Sequence, residues 1–501
     1  MSLALHLRLR IFHKDMLPTA NVVSGCEDCA CTATHAHLNS SQTASQRVPL
    51  TDAAYATPRE SLLLQNLPKA FSGIFDPKGD GGVVVVNLPA RQIFDFFHTP
   101  RSASDLAENF PAYSAHELSG AVALFEQLGL LLENGKPRPK QTQLSAKLTA
   151  WLHVTDACNL ACPYCYLNKS GHAMDEATGF AAVDAILRSA LAEKFKTVKL
   201  KYAGGEATLN FPLVIKLHDY ATQLAERNHL GLEAVILSNG AALTAERIQE
   251  IKKRNIRVMI SLDGLGESHD AQRPFVSGRG SFLAVNKSIE RLIEAGHKPH
   301  LSITITSRNV DGVADVVKFA LDRELTFSLN FYRENECSAN FADLRYGEAQ
   351  MIEGIFKTFR VIEENLPPWS ILGSVLDRGQ LVESRTRPCG VGQDYLVINH
   401  HGGIAKCHME IEQTVTDVKM HNPLAVVRAD LNGAQNPSVE EKEGCRDCQW
   451  RYWCTGGCPV ATFKATGRYD VKSPNCNIYK AIYPEALRLE ALRLLKYCSL
   501  N

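Results

Sequence analysis

The chain has 501 residues, 45% of them hydrophobic and 22% charged, enough to bury several cores and stay in solution. Lys+Arg and Asp+Glu both total 54, so nothing attracts a polyanion wholesale and no nucleic-acid partner is expected. The longest apolar runs, such as "GGVVVVNLP", are far too short to span a bilayer, and charges interrupt the apolar N-terminus "MSLALHLRLRIFHKDM". Neither a membrane span nor a secretory signal is read, and the expected location is cytoplasmic.

Residues 1–50 read as a poorly ordered tail, polar and rich in small residues. They carry Cys26, Cys29 and Cys31 in "CEDCAC", either exposed thiols or a metal site closed by His35 or His37. Residues 51–148 form a small domain. "GGVVVVNLP" predicts a strand, "ARQIFDFFH", "SASDLAENF" and "SAHELSGAVALFEQLGLL" predict helices, and "LLLENGK" a closing strand. Three helices with flanking strands suggest a winged helix-turn-helix. The segment lacks a basic face for DNA, whereas an exposed strand edge can pair with an extended peptide. "GKPRPKQTQLS" is a linker. From residue 149 to 339, "LTAWLHVTD", "TVKLKYAGGE", "EAVILSNG", "IRVMISLDG", "HLSITITS" and "TFSLNFY" predict strands alternating with helices. This α/β pattern implies a parallel sheet with right-handed crossovers, a partial (β/α)6 TIM-like barrel open on one side. Sites in such folds lie at the C-terminal strand ends. Residues 340–386 read as a helical connector. Residues 387–501 are cysteine-rich and loop-rich until "IYPEALRLEALRLLKY", and a domain of that kind needs metal to hold it together.

Fifteen cysteines in a large chain without a signal peptide do not build a disulfide framework, and their clustering points to metal. The loop after the first barrel strand, "VTDACNLACPYCYLNKSG", holds Cys158, Cys162 and Cys165. Zinc wants a fourth ligand, and a zinc knuckle would have to borrow a distant one. A four-iron cube normally takes four thiolates. Three leave one iron without a protein ligand, an open position for a small chelating reactant. The amino and carboxylate groups of S-adenosylmethionine (SAM) fit that role.

This C-x3-C-x2-C spacing, with Tyr164 before the last cysteine, a strand before it and β/α repeats behind it, resembles the radical SAM superfamily over residues 149 to about 335. The resemblance implies a SAM-binding [4Fe-4S] cluster at Cys158, Cys162 and Cys165. It implies reductive cleavage of SAM to methionine and a 5′-deoxyadenosyl radical, which removes hydrogen from an unactivated C–H bond. Gly204, Gly205 and Glu206 match the motif that binds the SAM amino group, the glycines allowing close approach. Ser238 and Asn239 of "SNG" match a ribose-binding strand end. Ser261 and Arg273 match the pair that holds the SAM carboxylate and ribose, the planar guanidinium suiting a carboxylate. Asp263 is read as ordering its own loop.

Seven more cysteines follow, four of them in "CRDCQWRYWCTGGC". Alone that run is compatible with a zinc ribbon. Behind a radical SAM loop it resembles a SPASM domain, which implies two auxiliary [4Fe-4S] clusters, three in all. By analogy Cys445, Cys448, Cys454 and Cys476 hold one. Cys389, Cys407 and Cys458 hold the other, again a ligand short; Asp394, His400, His401 or a substrate thiolate are the candidates to fill it. Cys337 and Cys498 read as ordinary thiols. Asp394 and His408 are the candidate catalytic residues. His408 stands where sulfatase maturases usually carry an aspartate proton acceptor; it is either a base or a support to the cluster. The resemblance, with the small domain ahead of the barrel, implies a maturase of ribosomally made peptides that installs a thioether or carbon–carbon cross-link. Its implied partners are a precursor peptide with a leader and an electron donor such as flavodoxin or ferredoxin. A formylglycine-generating enzyme, a non-enzymatic iron–sulfur electron carrier and a redox-sensing transcription factor are the alternatives.

Overall fold

In the computed structural model, residues 9–13, 16, 54–57, 62–133, 145–338 and 340–498 are described. Cys26, Cys29, Cys31, His35, His37 and most of the "GKPRPKQTQLS" linker lie outside them.

The N-terminal unit contains β1 (Ile11–His13), β2 (Ala54–Ala56), β3 (Leu63–Leu67), β4 (Phe71–Phe75), β5 (Val83–Asn87), α1 (Leu88–Phe96), β6 (Arg101–Ser102), α2 (Asp105–Asn109), α3 (Ala115–Gln127) and β7 (Leu132–Glu133). Asn87 caps α1, and Ser114 with Glu117 forms a capping box on α3. The antiparallel order β1-β5-β4-β3 makes one sheet, and β6-β2-β7 a second, smaller one. Strand β1 falls inside the expected disordered tail, which it corrects: Phe12 pairs with Val85, is buried, and stacks on Phe71. The alternation of apolar and basic residues in "LRLRIF" was the available signal. The β3–β4 hairpin was also missed, because both of its strands mix apolar and polar residues without a clean period.

The larger sheet is buried on both faces, and strand periodicity sorts its side chains. Ile74, Val84 and Val86 face α1 and α3, whereas Phe75, Val83 and Val85 join the main core. There they meet α14 (Cys476–Cys498). Phe75 lies 4.9 Å from the Trp453 ring, and Trp453 Nε1 donates to Pro77 O at 2.7 Å.

The barrel follows: β8 (Lys147–His153), α4 (Glu176–Ala192), β9 (Thr197–Ala203), α5 (Phe211–Arg227), β10 (Gly231–Ser238), α6 (Ala245–Lys253), β11 (Arg257–Ser261), α7 (Glu267–Gln272), α8 (Phe282–Glu294), β12 (His300–Ile305), α9 (Val313–Asp322) and β13 (Phe327–Phe331). Six parallel strands run in order β13-β12-β11-β10-β9-β8, as the β/α alternation requires. The sheet does not end at β8. Strand β14 (Tyr395–Ile398) adds parallel to β8, followed by antiparallel β15 (Gly403–Ala405) and β16 (Thr414–Asp417). The cysteine-rich region therefore shares a nine-stranded sheet with the barrel.

Residues 340–386 were expected to be a helical connector. It contains α10 (Glu348–Glu364), after which 366–386 is non-helical but largely buried against the core. The remaining helices are α11 (Pro423–Ala429), α12 (Arg451–Cys454), α13 (Pro459–Thr466) and α14. Helix α14 begins at Cys476, earlier than its apolar pattern, and carries Pro484 inside it. Among the described residues no helix is long and apolar enough to cross a membrane.

Candidate active site

Strand β8 delivers the three-cysteine loop to the C-terminal end of the sheet. Cys158, Cys162 and Cys165 are free, half-buried thiols lining one cavity of about 260 Å³. The same cavity is lined by Tyr164, Gly204, Gly205, Glu206, Ser238, Asn239, Ser261, Arg273 and His408. All six parallel strands contribute lining residues to this one space; Asp394 is not among them. Burial raises the pKa of each of the three thiols, against the nearby cations Lys169 and Arg273. Three thiols crowded in this way are unfavourable as thiolates unless a cation sits among them, and that donor set fits an iron–sulfur cluster.

The glycines have a local reason. A Cβ on Gly204 would meet Thr155 O at 2.4 Å, and one on Gly205 would meet Ala157 O at 2.4 Å. Gly205 N donates to Thr155 O at 2.7 Å and Glu206 N to Ala157 O at 2.8 Å. The backbone they admit is that of the cysteine loop itself. The Glu206 carboxylate, 1% exposed, is likewise occupied: it accepts from Thr208 Oγ1 (2.6 Å), Ser238 Oγ (2.8 Å) and the backbone N of Asn239 (2.6 Å). It ties the end of β10 to the turn after β9. Asn239 in turn donates to Asn159 Oδ1 at 2.7 Å, inside the cysteine loop.

Arg273 reaches the cavity from the end of α7. Its Nη1 bonds to the Tyr164 hydroxyl and lies 3.3 Å from Asp263 Oδ2, which also accepts from Tyr164. Asp263 is fully buried, and its other oxygen accepts from Thr304 N at 2.7 Å. Asp263 thus both orders its loop and neutralises Arg273.

His408 stacks on Trp151, with ring centroids 4.6 Å apart, and lies near Tyr166 and Tyr395. Burial, then Arg378, Arg333 and Lys201, holds its pKa well below 6.5, so it is neutral but a poor proton acceptor. Sequence reading missed those two arginines, which also line the cavity. Each comes from a segment without a motif, and Arg333 is held by Asp377 at 2.6 Å.

Cys445, Cys448, Cys454 and Cys476 gather in a second small cavity beside Trp450, Tyr479 and Tyr483. Burial and the neighbouring thiols push the Cys445 pKa up to about 12. Cys407 and Cys458 are buried in one cluster against which Cys389 packs. Lys442, fully buried and also unforeseen, feels thiols of both groups. Asp394 is buried in the short segment after Cys389, where its backbone accepts from Thr149 N. His400 and His401 pack with His172 and, for His400, with His153 and Asp156. Cys337 is exposed, and Cys498 is buried at the end of α14.

The model of the radical SAM superfamily matches residues 152–320, from the last residues of β8 through α9. The chain carries a radical SAM domain. Relatives extend past that domain: an AdoMet-dependent heme synthase of Nitratidesulfovibrio vulgaris is 25% identical over 69% of this chain and 94% of its own length. The mycofactocin maturase MftC of Mycolicibacterium smegmatis is 26% identical over 66% of this chain and 83% of its own. An uncharacterised protein of Methanocaldococcus jannaschii is 31% identical over 34% of this chain, which spans 57% of that protein's length. Among solved structures, anSMEcpe with bound AdoMet and Cp18Cys peptide superposes with a TM-score of 0.56 at 17% identity, over 71% of this chain and 99% of that one. The shared fold therefore extends well beyond the radical SAM domain of this chain.

Proposed function

We propose that this chain is a radical SAM peptide maturase with a SPASM-type C-terminal domain. The observation that carries the reading is the convergence of Cys158, Cys162, Cys165 and the strand-end residues Gly204, Gly205, Glu206, Ser238, Asn239, Ser261 and Arg273 on one cavity. When bound, a [4Fe-4S] cluster with SAM supplies one-electron cleavage of the sulfonium and hydrogen-atom abstraction. Cys158, Cys162 and Cys165 would hold that cluster. Arg273, its charge balanced by Asp263, presents donors for a carboxylate. Glu206 keeps Ser238 and Asn239 in place, and Trp151, Tyr164 and Tyr166 give the cavity an aromatic wall. The two further thiol groups would hold auxiliary clusters. A flavodoxin or ferredoxin would supply the electron.

The peptide part of the reading is supported by the small sheet-and-helix unit ahead of the barrel, by the name of the maturase relative, and by the peptide in the structurally similar protein. Extended-peptide capture would use the β3 edge, Leu63–Leu67, where Leu64 is 45% exposed. The other edge is β1, which is only three residues long. The formylglycine alternative is weakened, because burial and then the cations around His408 oppose its acting as the proton acceptor.

The test is anaerobic reconstitution with iron and sulfide, then dithionite and SAM, with 5′-deoxyadenosine read by mass spectrometry. Release is expected. Its absence with clusters fully loaded would favour an electron carrier. A variant lacking residues 1–148 that still turns over a full-length precursor normally would remove the capture role.

A further inference from the structure

Two histidines in the β14–β15 turn, His400 and His401, candidates from sequence for the fourth ligand beside Cys389, Cys407 and Cys458, pack against His172 and, for His400, against His153 and Asp156. His400 is 5% exposed, and neither of its ring nitrogens has a hydrogen-bond partner. Facing it is Asp156, in the segment between β8 and Cys158. Asp156 Oδ1 lies 3.4 Å from His400 Nδ1 and 2.7 Å from His153 Nε2. Asp156 Oδ2 is held by Ser170 Oγ at 2.7 Å. His153 is 1% exposed, and its Nδ1 also lacks a partner.

The ligand atoms of His153, Asp156 and His400 all lie within 4.8 Å of one another, and those of His172, His400 and His401 do so too. His172 is fixed beside them, because its carbonyl accepts from Asp156 N and from Thr155 Oγ1, both at 2.8 Å. A hydrogen-bonded His153–Asp156 pair alone would account for two of these residues. It would leave His400 buried with both nitrogens unsatisfied, which is unfavourable.

A tetrahedral zinc ion with bonds near 2.0–2.1 Å sets neighbouring ligands about 3.3 Å apart. The His400–Asp156 separation matches that edge, and the His153–Asp156 pair has only to open slightly. Imidazole and carboxylate donors without a thiolate suit zinc and not an iron–sulfur cluster. We infer that His153, Asp156 and His400 form a binding site for a zinc-class divalent cation, separate from the cysteine sites. It fastens Asp156, two residues ahead of Cys158, to the β14–β15 turn and so fixes the root of the cysteine loop.

The experiment uses full-length protein with its clusters reconstituted, loaded with zinc, dialysed against metal-free buffer and assayed for zinc and iron by mass spectrometry. About one tightly held zinc per chain is expected. That zinc should persist in a C158A/C162A/C165A variant and be lost in H153Q/H400Q, with the iron content of the latter unchanged. Wild-type protein that holds no zinc, or an H153Q/H400Q variant that keeps it, overturns the inference. Zinc lost only from the triple cysteine variant sits on the thiols, and overturns the cluster reading as well. If H153Q/H400Q does not fold, cobalt added to wild type decides. Visible ligand-field bands without thiolate charge transfer are expected, and thiolate charge transfer contradicts the site.

Discussion

Replacing Asp263 by Asn keeps an oxygen for Thr304 N but turns the group facing Arg273 and Tyr164 from acceptor to donor. Asp263 is fully buried and Arg273 is 8% exposed, so the guanidinium loses its counter-charge where water does not replace it. Breaking a buried pair in this way costs about 3–5 kcal/mol. R273M alone strands the carboxylate and should cost a similar amount. The D263N/R273M double variant removes both charges and should recover roughly 2–3 kcal/mol relative to the sum of the singles. Hydrogen–deuterium exchange of peptides covering Arg257–Ser261 and His300–Ile305 reads the local free energy, since a chain of this size need not unfold in one step. Additivity within about 0.5 kcal/mol would refute the coupling.

Glu206→Gln turns one carboxylate oxygen, either Oε1 facing Thr208 and Ser238 or Oε2 facing Asn239 N, into a donor and takes the charge from the bonds of the other, and should lose roughly 2–3 kcal/mol of stability in thermal unfolding. Unchanged stability with SAM binding abolished would instead make Glu206 a ligand contact. His269, fully buried, has its pKa lowered from 6.5 to about 3, chiefly by burial. It is neutral when folded and protonates on unfolding below pH 6.5, so its contribution is complete above that pH and is lost as pH falls toward 3. H269Q should flatten the stability–pH slope there by up to about 1.4 kcal/mol per pH unit, as measured by urea unfolding across that range. Removing residues 1–13 uncovers β5, whose Val84, Val85 and Val86 are otherwise fully buried. Self-association by light scattering should rise, and unchanged scattering would show that the edge needs no cover.

The barrel was legible because each strand is an apolar run that ends in a marked loop, and because cysteine spacing is a local property. Every residue proposed around SAM lines the same cavity. What was not legible is long-range. The role of Glu206 depends on a strand 32 residues away. Asp377 joins Arg333 to Tyr479 across more than 100 positions, and Lys442 carries no motif at all. Strand β14 escaped because its pairing with β8 crosses some 245 residues of chain, and a short apolar run does not name its partner; β15 and β16 only continue the sheet from it. Pro484 sits within α14, where the Gln65 side chain donates to its carbonyl at 2.6 Å, a contact made by the N-terminal unit.

The central claim is an iron corner left open by Cys158, Cys162 and Cys165. Electron paramagnetic resonance of the dithionite-reduced protein, with and without SAM, addresses it most directly. The cluster signal should shift on adding SAM, and C158A/C162A/C165A should lose about four irons and the shift together. A shift that survives the triple substitution, or wild-type protein with no SAM-sensitive signal, would contradict the account.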